Sequence, residues 1–186
     1  MPSAPTREKS YSYNFCSRIY CYWTSVYYFS ITGTAFVATY IFIVQPNQIK
    51  GHSMEPTYPP DAYVLNEKIT YRTKDPKRGD IVIFKHPERE DVDLVSRIIG
   101  LPNETILIES GRIYINNRLL DEPYLPSTST TSGGKWLVDG QQITVPSDHY
   151  FVMSDNRPHS SGSRDFGTIS REKIIGRVFM CYAKCK

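Results

Sequence analysis

Residues 78–104 read RGDIVIFKHPEREDVDLVSRIIGLPNE. Two short apolar runs, 81–84 and 94–99, stand between Arg78-Gly79-Asp80 and Gly100-Leu101-Pro102. Both runs are too short for a helix, rich in β-branched residues and closed by breakers, so they read as strands. Outward from this stretch the same pattern recurs at 62–65, 105–108, 112–115, 143–145, 150–153 and 174–182. Ser110-Gly111 and Asn116-Asn117 punctuate it, and the second pair suits a hairpin turn because Asn tolerates positive φ. No long helical period follows residue 46. Many short strands with turn punctuation predict a mostly β, antiparallel domain. The polar stretch 126–135, PSTSTTSGGK, reads as a mobile surface loop.

Upstream the character changes. Half of the 14 Tyr, 8 Phe and 2 Trp lie between Tyr11 and Phe42, and residues 19–44, IYCYWTSVYYFSITGTAFVATYIFIV, carry no charge. A helix crosses the hydrocarbon core with about 20 residues, so this run is long enough to span. Its first half is rich in Tyr and Trp, rings that favour the headgroup interface, and the more purely apolar part, 36–44, comes last. The expected organisation is an N-terminal segment 1–24 at the cytoplasmic face, one transmembrane helix over 25–44, and an extracytoplasmic domain over 45–186. Arg7, Lys9 and Arg18 against Glu8 orient it with the N-terminus inside. A cleaved signal peptide fits less well, because its apolar region is shorter and no small-x-small site follows. A buried core helix rarely runs so far without a charge.

With 40% apolar and 22% charged residues the chain is neither disordered nor collagen-like, and its four cysteines do not form a disulfide framework. Beyond residue 44 acids and bases nearly cancel, leaving no basic field for nucleic acid. Cys16 and Cys21 precede the span. Cys181 and Cys185 lie at the C-terminus with no second ligand pair, so no metal site is expected, and a bridge between them requires the strand to bend.

Four blocks carry the chemistry. They are Gly51-His52-Ser53-Met54-Glu55-Pro56-Thr57, then Arg78-Gly79-Asp80 with its strand, then Arg97-Ile98-Ile99-Gly100-Leu101-Pro102, and finally Ser154-Asp155-Asn156-Arg157 followed by Ser160 and Ser163-Arg164. In this order behind one anchor they resemble the type I signal peptidases, membrane-bound Ser–Lys endopeptidases that remove signal peptides from exported preproteins. The resemblance implies a β-rich catalytic domain on the outer face of the cytoplasmic membrane, no cofactor, and preprotein signal peptides and the lipid bilayer as partners. The cut would follow a small-x-small sequence. It places the nucleophile on Ser53, whose N–H would serve an oxyanion hole. Met54 and Pro56 would shape the groove, Ser160 would orient the base, and Arg97, Asp155, Asn156, Arg157 and Arg164 would support the site.

Three positions depart from the family pattern. Ser96 stands where the family has its general-base Lys, just before Arg97; a seryl hydroxyl cannot serve as a base near neutrality. Gly162 stands where an Asp usually precedes Ser163-Arg164, with Asp165 as a candidate substitute. Ser154 stands for Gly, small for small. His52, His159 and Lys50 are the basic groups near the motifs and read as exposed loop side chains. The resemblance therefore implies a signal peptidase I-like endopeptidase; the alternative is a catalytically impaired relative that binds signal peptides or assists surface-protein assembly.

Overall fold

The structure, a computed structural model, describes residues 9–42 and 44–185, with side chains from 20–40 and 44–185. The chain divides into two compact units, Met1–Phe42 and Ile43–Lys186. Arg7 and Glu8, and the side chains of Lys9, Cys16 and Arg18, lie outside the described residues.

The first unit contains one helix, α1 (Lys9–Phe42). It ends two residues short of the expected boundary, and Val44 already belongs to a strand. Tyr20, Tyr22, Trp23, Tyr27, Tyr28 and Phe29 are all exposed. The hydroxyls of Thr24, Ser25, Thr32, Thr34 and Thr39 fold back onto carbonyls three or four residues earlier at 2.8–3.0 Å. Among the described residues no helix is long and apolar enough to cross a membrane.

The second unit is mostly β and antiparallel throughout. Seven strands, β1 (Val44–Gln48), β2 (Tyr63–Glu67), β3 (Ile81–Lys85), β4 (Asp93–Gly100), β9 (His149–Met153), β10 (Ile169–Ser170) and β11 (Ile174–Ala183), form one sheet in the order β1-β2-β11-β3-β4-β9-β10. Four more, β5 (Thr105–Glu109), β6 (Arg112–Ile115), β7 (Arg118–Leu119) and β8 (Gln142–Thr144), form a second sheet ordered β7-β6-β5-β8. All eight expected strands are present. The three that sequence missed are β1, β7 and β10. Pro46 lies in β1 without contradiction because β1 is an edge strand, where a missing N–H costs no ladder bond. Asn116 and Asn117 both adopt positive φ, 49° and 63°, and close the β6–β7 hairpin as expected.

Alternation along the central strands feeds two faces of the large sheet. Ile81 and Ile83 join Ile49, Met54 and Val64 on one side; Val82 and Phe84 join Ile98, Tyr150 and Val152 on the other. Ile99, Phe151 and Met153 pack against Ile106, Ile108, Ile113 and Leu137, joining the small sheet to the large one. Stretch 126–135 is not the free loop expected from its composition. Thr131 is buried and its N–H donates to Gly111 O at 2.9 Å; Gly134 N–H donates to Leu137 O at 2.8 Å. Lys184 at φ 52° supplies the bend after β11 that lets Cys181 and Cys185 form a disulfide.

One position tests the centre of the large sheet. A Cβ at Gly176 in β11 would run into the backbone carbonyl oxygen of Glu67 and sit 3.1 Å from Asn66 Nδ2. Gly176→Ala is expected to cost about 1–3 kcal/mol, and the midpoint of urea unfolding checks it.

Candidate active site

Ser53 lies in the loop between β1 and β2. Gly51, at φ 77°, turns the chain into it, and a cis peptide joins Glu55 to Pro56. Met54 is fully buried among Ile49, Val64, Ile81 and Ile83, with Val95 packed against the same cluster. It anchors the loop from below. From the other side Asn156 grips it twice: its N–H donates to Ser53 O and its Nδ2 to His52 O, both at 2.9 Å. Thr57 Oγ1 donates to Asp155 Oδ2 at 2.5 Å. Among the described residues neither the Ser53 hydroxyl nor its N–H has a hydrogen-bond partner.

The block after β9 reaches Ser53 through buried charge. Asp155, without side-chain exposure, accepts from Arg97 Nε at 2.9 Å and Nη2 at 2.6 Å. Arg97 also donates to Gly79 O at 2.9 Å and Thr57 Oγ1 at 3.2 Å, and its guanidinium lies 3.9 Å over the Tyr124 ring. Burial works against the Arg97 charge, but Asp155 outweighs it and the net shift is upward. Arg157 is as deeply placed. It pairs with Glu122 through both terminal nitrogens and donates to Thr131 Oγ1 at 2.7 Å and Ser154 O at 3.1 Å. Tyr124 donates to Glu122 Oε1 at 2.6 Å.

Glu122, Tyr124 and Thr131 therefore belong to the support of the site, and sequence reading missed all three. They lie in and beside a polar stretch whose contacts are set by the fold alone. Arg164 Nη2 donates to Arg157 O and to Ser160 O, while Nη1 reaches Ser132 O at 2.9 Å. Asp165, the candidate substitute carboxylate, places its Oδ2 3.5 Å from Arg164 Nε, where it also accepts from Gly162 N–H at 3.1 Å. A Cβ at Gly162 would stand 3.0 Å from Val152 O, so little room is left there for an aspartate.

At Ser96, where the resemblance leads one to expect a base, the structure holds two hydroxyls. Ser96 and Ser154 are both buried, and their Oγ atoms lie 3.0 Å apart. Ser154, read from sequence as small for small, thus gives its hydroxyl to Ser96. Ser160 Oγ donates to Asn156 O at 2.5 Å, closing its own turn. His52 Nδ1 meets Glu55 Oε2 at 3.1 Å in an exposed pair, and Lys50 and His159 are exposed. Among the described residues none of these groups is bonded to Ser53.

Comparison with known proteins follows this geometry. The sequence profile of the family described as Signal peptidase, peptidase S26 matches residues 22–183. The chain belongs to that family. A probable signal peptidase I-2 of Synechocystis is 35% identical over 144 residues, 75% of this chain and 63% of that protein, so the chain spans less than two thirds of this relative. Signal peptidase IB of Staphylococcus aureus is 34% identical over 158 residues, 77% of this chain and 82% of the relative. A crystal structure of a signal peptidase I from Enterococcus faecalis V583 aligns at 30% identity with a TM-score of 0.46, covering 57% of this chain and 98% of that one.

The buried charges and phenols set three expected outcomes. Asp155→Asn leaves the Arg97 guanidinium buried without a counter-charge and is expected to cost about 3–5 kcal/mol in denaturant unfolding. Thr57→Ala removes one hydrogen bond from the same carboxylate and should cost about 1 kcal/mol. Burial, reinforced by the bonds to Glu122 and Asp80, raises the Tyr124 and Tyr71 phenols above their ordinary value. The unfolded chain then loses these protons from about pH 10 while the folded one keeps them, so their stabilisation is full below that pH and falls as pH rises further. Thermal unfolding followed from pH 8 to 11.5 should show Tm dropping above about pH 10, less steeply in the Tyr71→Phe/Tyr124→Phe variant.

Proposed function

We propose that this chain is a membrane-bound serine endopeptidase that removes signal peptides from exported preproteins, with Ser53 as nucleophile. The observation that carries the reading is the Ser53 loop. Asn156, Asp155 and Met54 hold it from two sides, yet its hydroxyl and N–H remain free for a substrate. In the reaction Ser53 Oγ bonds to the scissile carbonyl carbon, the carbonyl oxygen gains charge that the Ser53 N–H can stabilise, and the C–N bond breaks. The proton leaving Ser53 Oγ ends on the departing amine. Water then hydrolyses the acyl ester and restores the hydroxyl.

Proton transfer is the weak step. A positioned base contributes typically 10²- to 10⁴-fold, and Ser96 cannot take that proton near neutral pH. Slow turnover is the expected consequence. The buried Ser96–Ser154 contact also favours a second reading, signal-peptide binding without turnover.

The same proposal makes α1 the anchor, with its N-terminus cytoplasmic and the β domain outside. Support comes from the uncharged run 19–44 and from hydroxyls that carry their own carbonyl partners, which lowers the cost of placing them in lipid. Its low apolarity calls for a direct test. Alkaline carbonate extraction should leave the full chain in the membrane, and release into the supernatant contradicts an anchor.

Cleavage of a preprotein after a small-x-small sequence by the full chain, lost in Ser53→Ala, is the expected result. Peptide binding without any cleavage by the wild type would instead establish the second reading.

A further inference from the structure

The two hydroxyls at Ser96 and Ser154 come from different strands and satisfy each other. Ser96 sits in the middle of β4, paired across the sheet with Val82, and is 1% exposed; Ser154 follows β9 and is 3% exposed. Their Oγ atoms lie at 3.0 Å, and Ser154 Oγ also comes within 3.4 Å of Val95 O. The backbone here is fixed from both sides. Met153, beside Ser154, is in register with Arg97, and Ser154 O accepts from the fully buried Arg157. Ser154 therefore cannot withdraw without disturbing a buried charge, and its hydroxyl stands directly against that of Ser96.

We infer that Ser96 and Ser154 are one unit, a closed hydroxyl pair that together keeps a basic side chain out of the site. The proposal deepens the reading of Ser53 as a nucleophile and rests on it. A pair of neutral hydroxyls that bond each other needs no counter-charge. It also means that a base cannot be restored by one substitution. A lysine placed at position 96 alone would press its chain against Ser154 Oγ, and removal of Ser154 alone would leave the Ser96 hydroxyl buried with its partner gone. Ser154 is thus a positioning residue, deciding what position 96 can hold.

The test is a pair of double-mutant cycles on the full chain in detergent micelles, reading preprotein cleavage and Tm. In the first, Ser96→Lys is expected to gain less than threefold in cleavage. Ser96→Lys/Ser154→Gly should gain about 10²-fold or more, the size of a general-base contribution, and lose it when Ser53→Ala is added. Equal gains from Ser96→Lys alone and from the double variant overturn the inference. The second cycle does not depend on the lysine variants folding. Ser96→Ala and Ser154→Ala should each lower Tm by about 2–4 °C, and the double substitution should lower it by less than the two together. Additive shifts overturn the pair. A coupled second cycle beside a folded Ser96→Lys/Ser154→Gly protein that cleaves nothing upholds the pair and instead overturns Ser53 as the nucleophile.

Discussion

Two guanidinium groups removed from water govern this domain. Taking an ion out of solvent costs several kcal/mol even after relaxation, so Arg97 and Arg157 are tolerable only where partners meet them with good geometry. Asp155 supplies both carboxylate oxygens to Arg97, and Thr57 and Gly79 complete its bonds. Glu122, Thr131 and Ser154 do the same for Arg157. These partners come from the Ser53 loop, the turn before β3, the segment after β7 and the end of β9. None of them can drift without uncovering a charge. The placement of Ser53 is therefore a by-product of charge burial: Thr57 binds Asp155, and Asn156 next to it holds Ser53 and His52 by their carbonyls.

That dependence explains what could be read from sequence and what could not. Runs such as 81–84 and 94–99 announce themselves because apolar, β-branched residues between breakers have few other uses. β7 and β10 are two residues long and have no period to detect, and β1 was hidden by Pro46, a breaker that an edge position forgives. The stretch 126–135 shows the opposite failure. Its composition is that of a free loop, but Thr131 is buried because Arg157 requires an acceptor there, a demand issued 26 residues away. Glu122 and Tyr124 were missed for the same reason.

In the site, the residues with a motif were legible as a group, while their pairings were not. Ser53, Asp155, Asn156 and Arg97 do come together. Ser160 turns to its own helical turn, and Asp165 meets Arg164 beside Gly162, where a side chain would sit tightly against Val152. The Ser96–Ser154 contact joins positions 58 residues apart, and nothing in either local sequence announces it. Size alone does not reveal that the hydroxyl at 154 points to Ser96.

These observations separate two kinds of constraint. Loss of a buried partner such as Asp155 is felt by folding itself, because the charge left behind has no other solution. Two neutral hydroxyls that bond each other, as Ser96 and Ser154 do, bury no charge, and neither is left unsatisfied. Folding therefore guards the charged scaffold around Ser53 more strictly than the hydroxyl contact at Ser96. The loop, the ion pairs and the sheet register around Ser53 rest on Arg97, Asp155 and Arg157 and not on what stands at position 96.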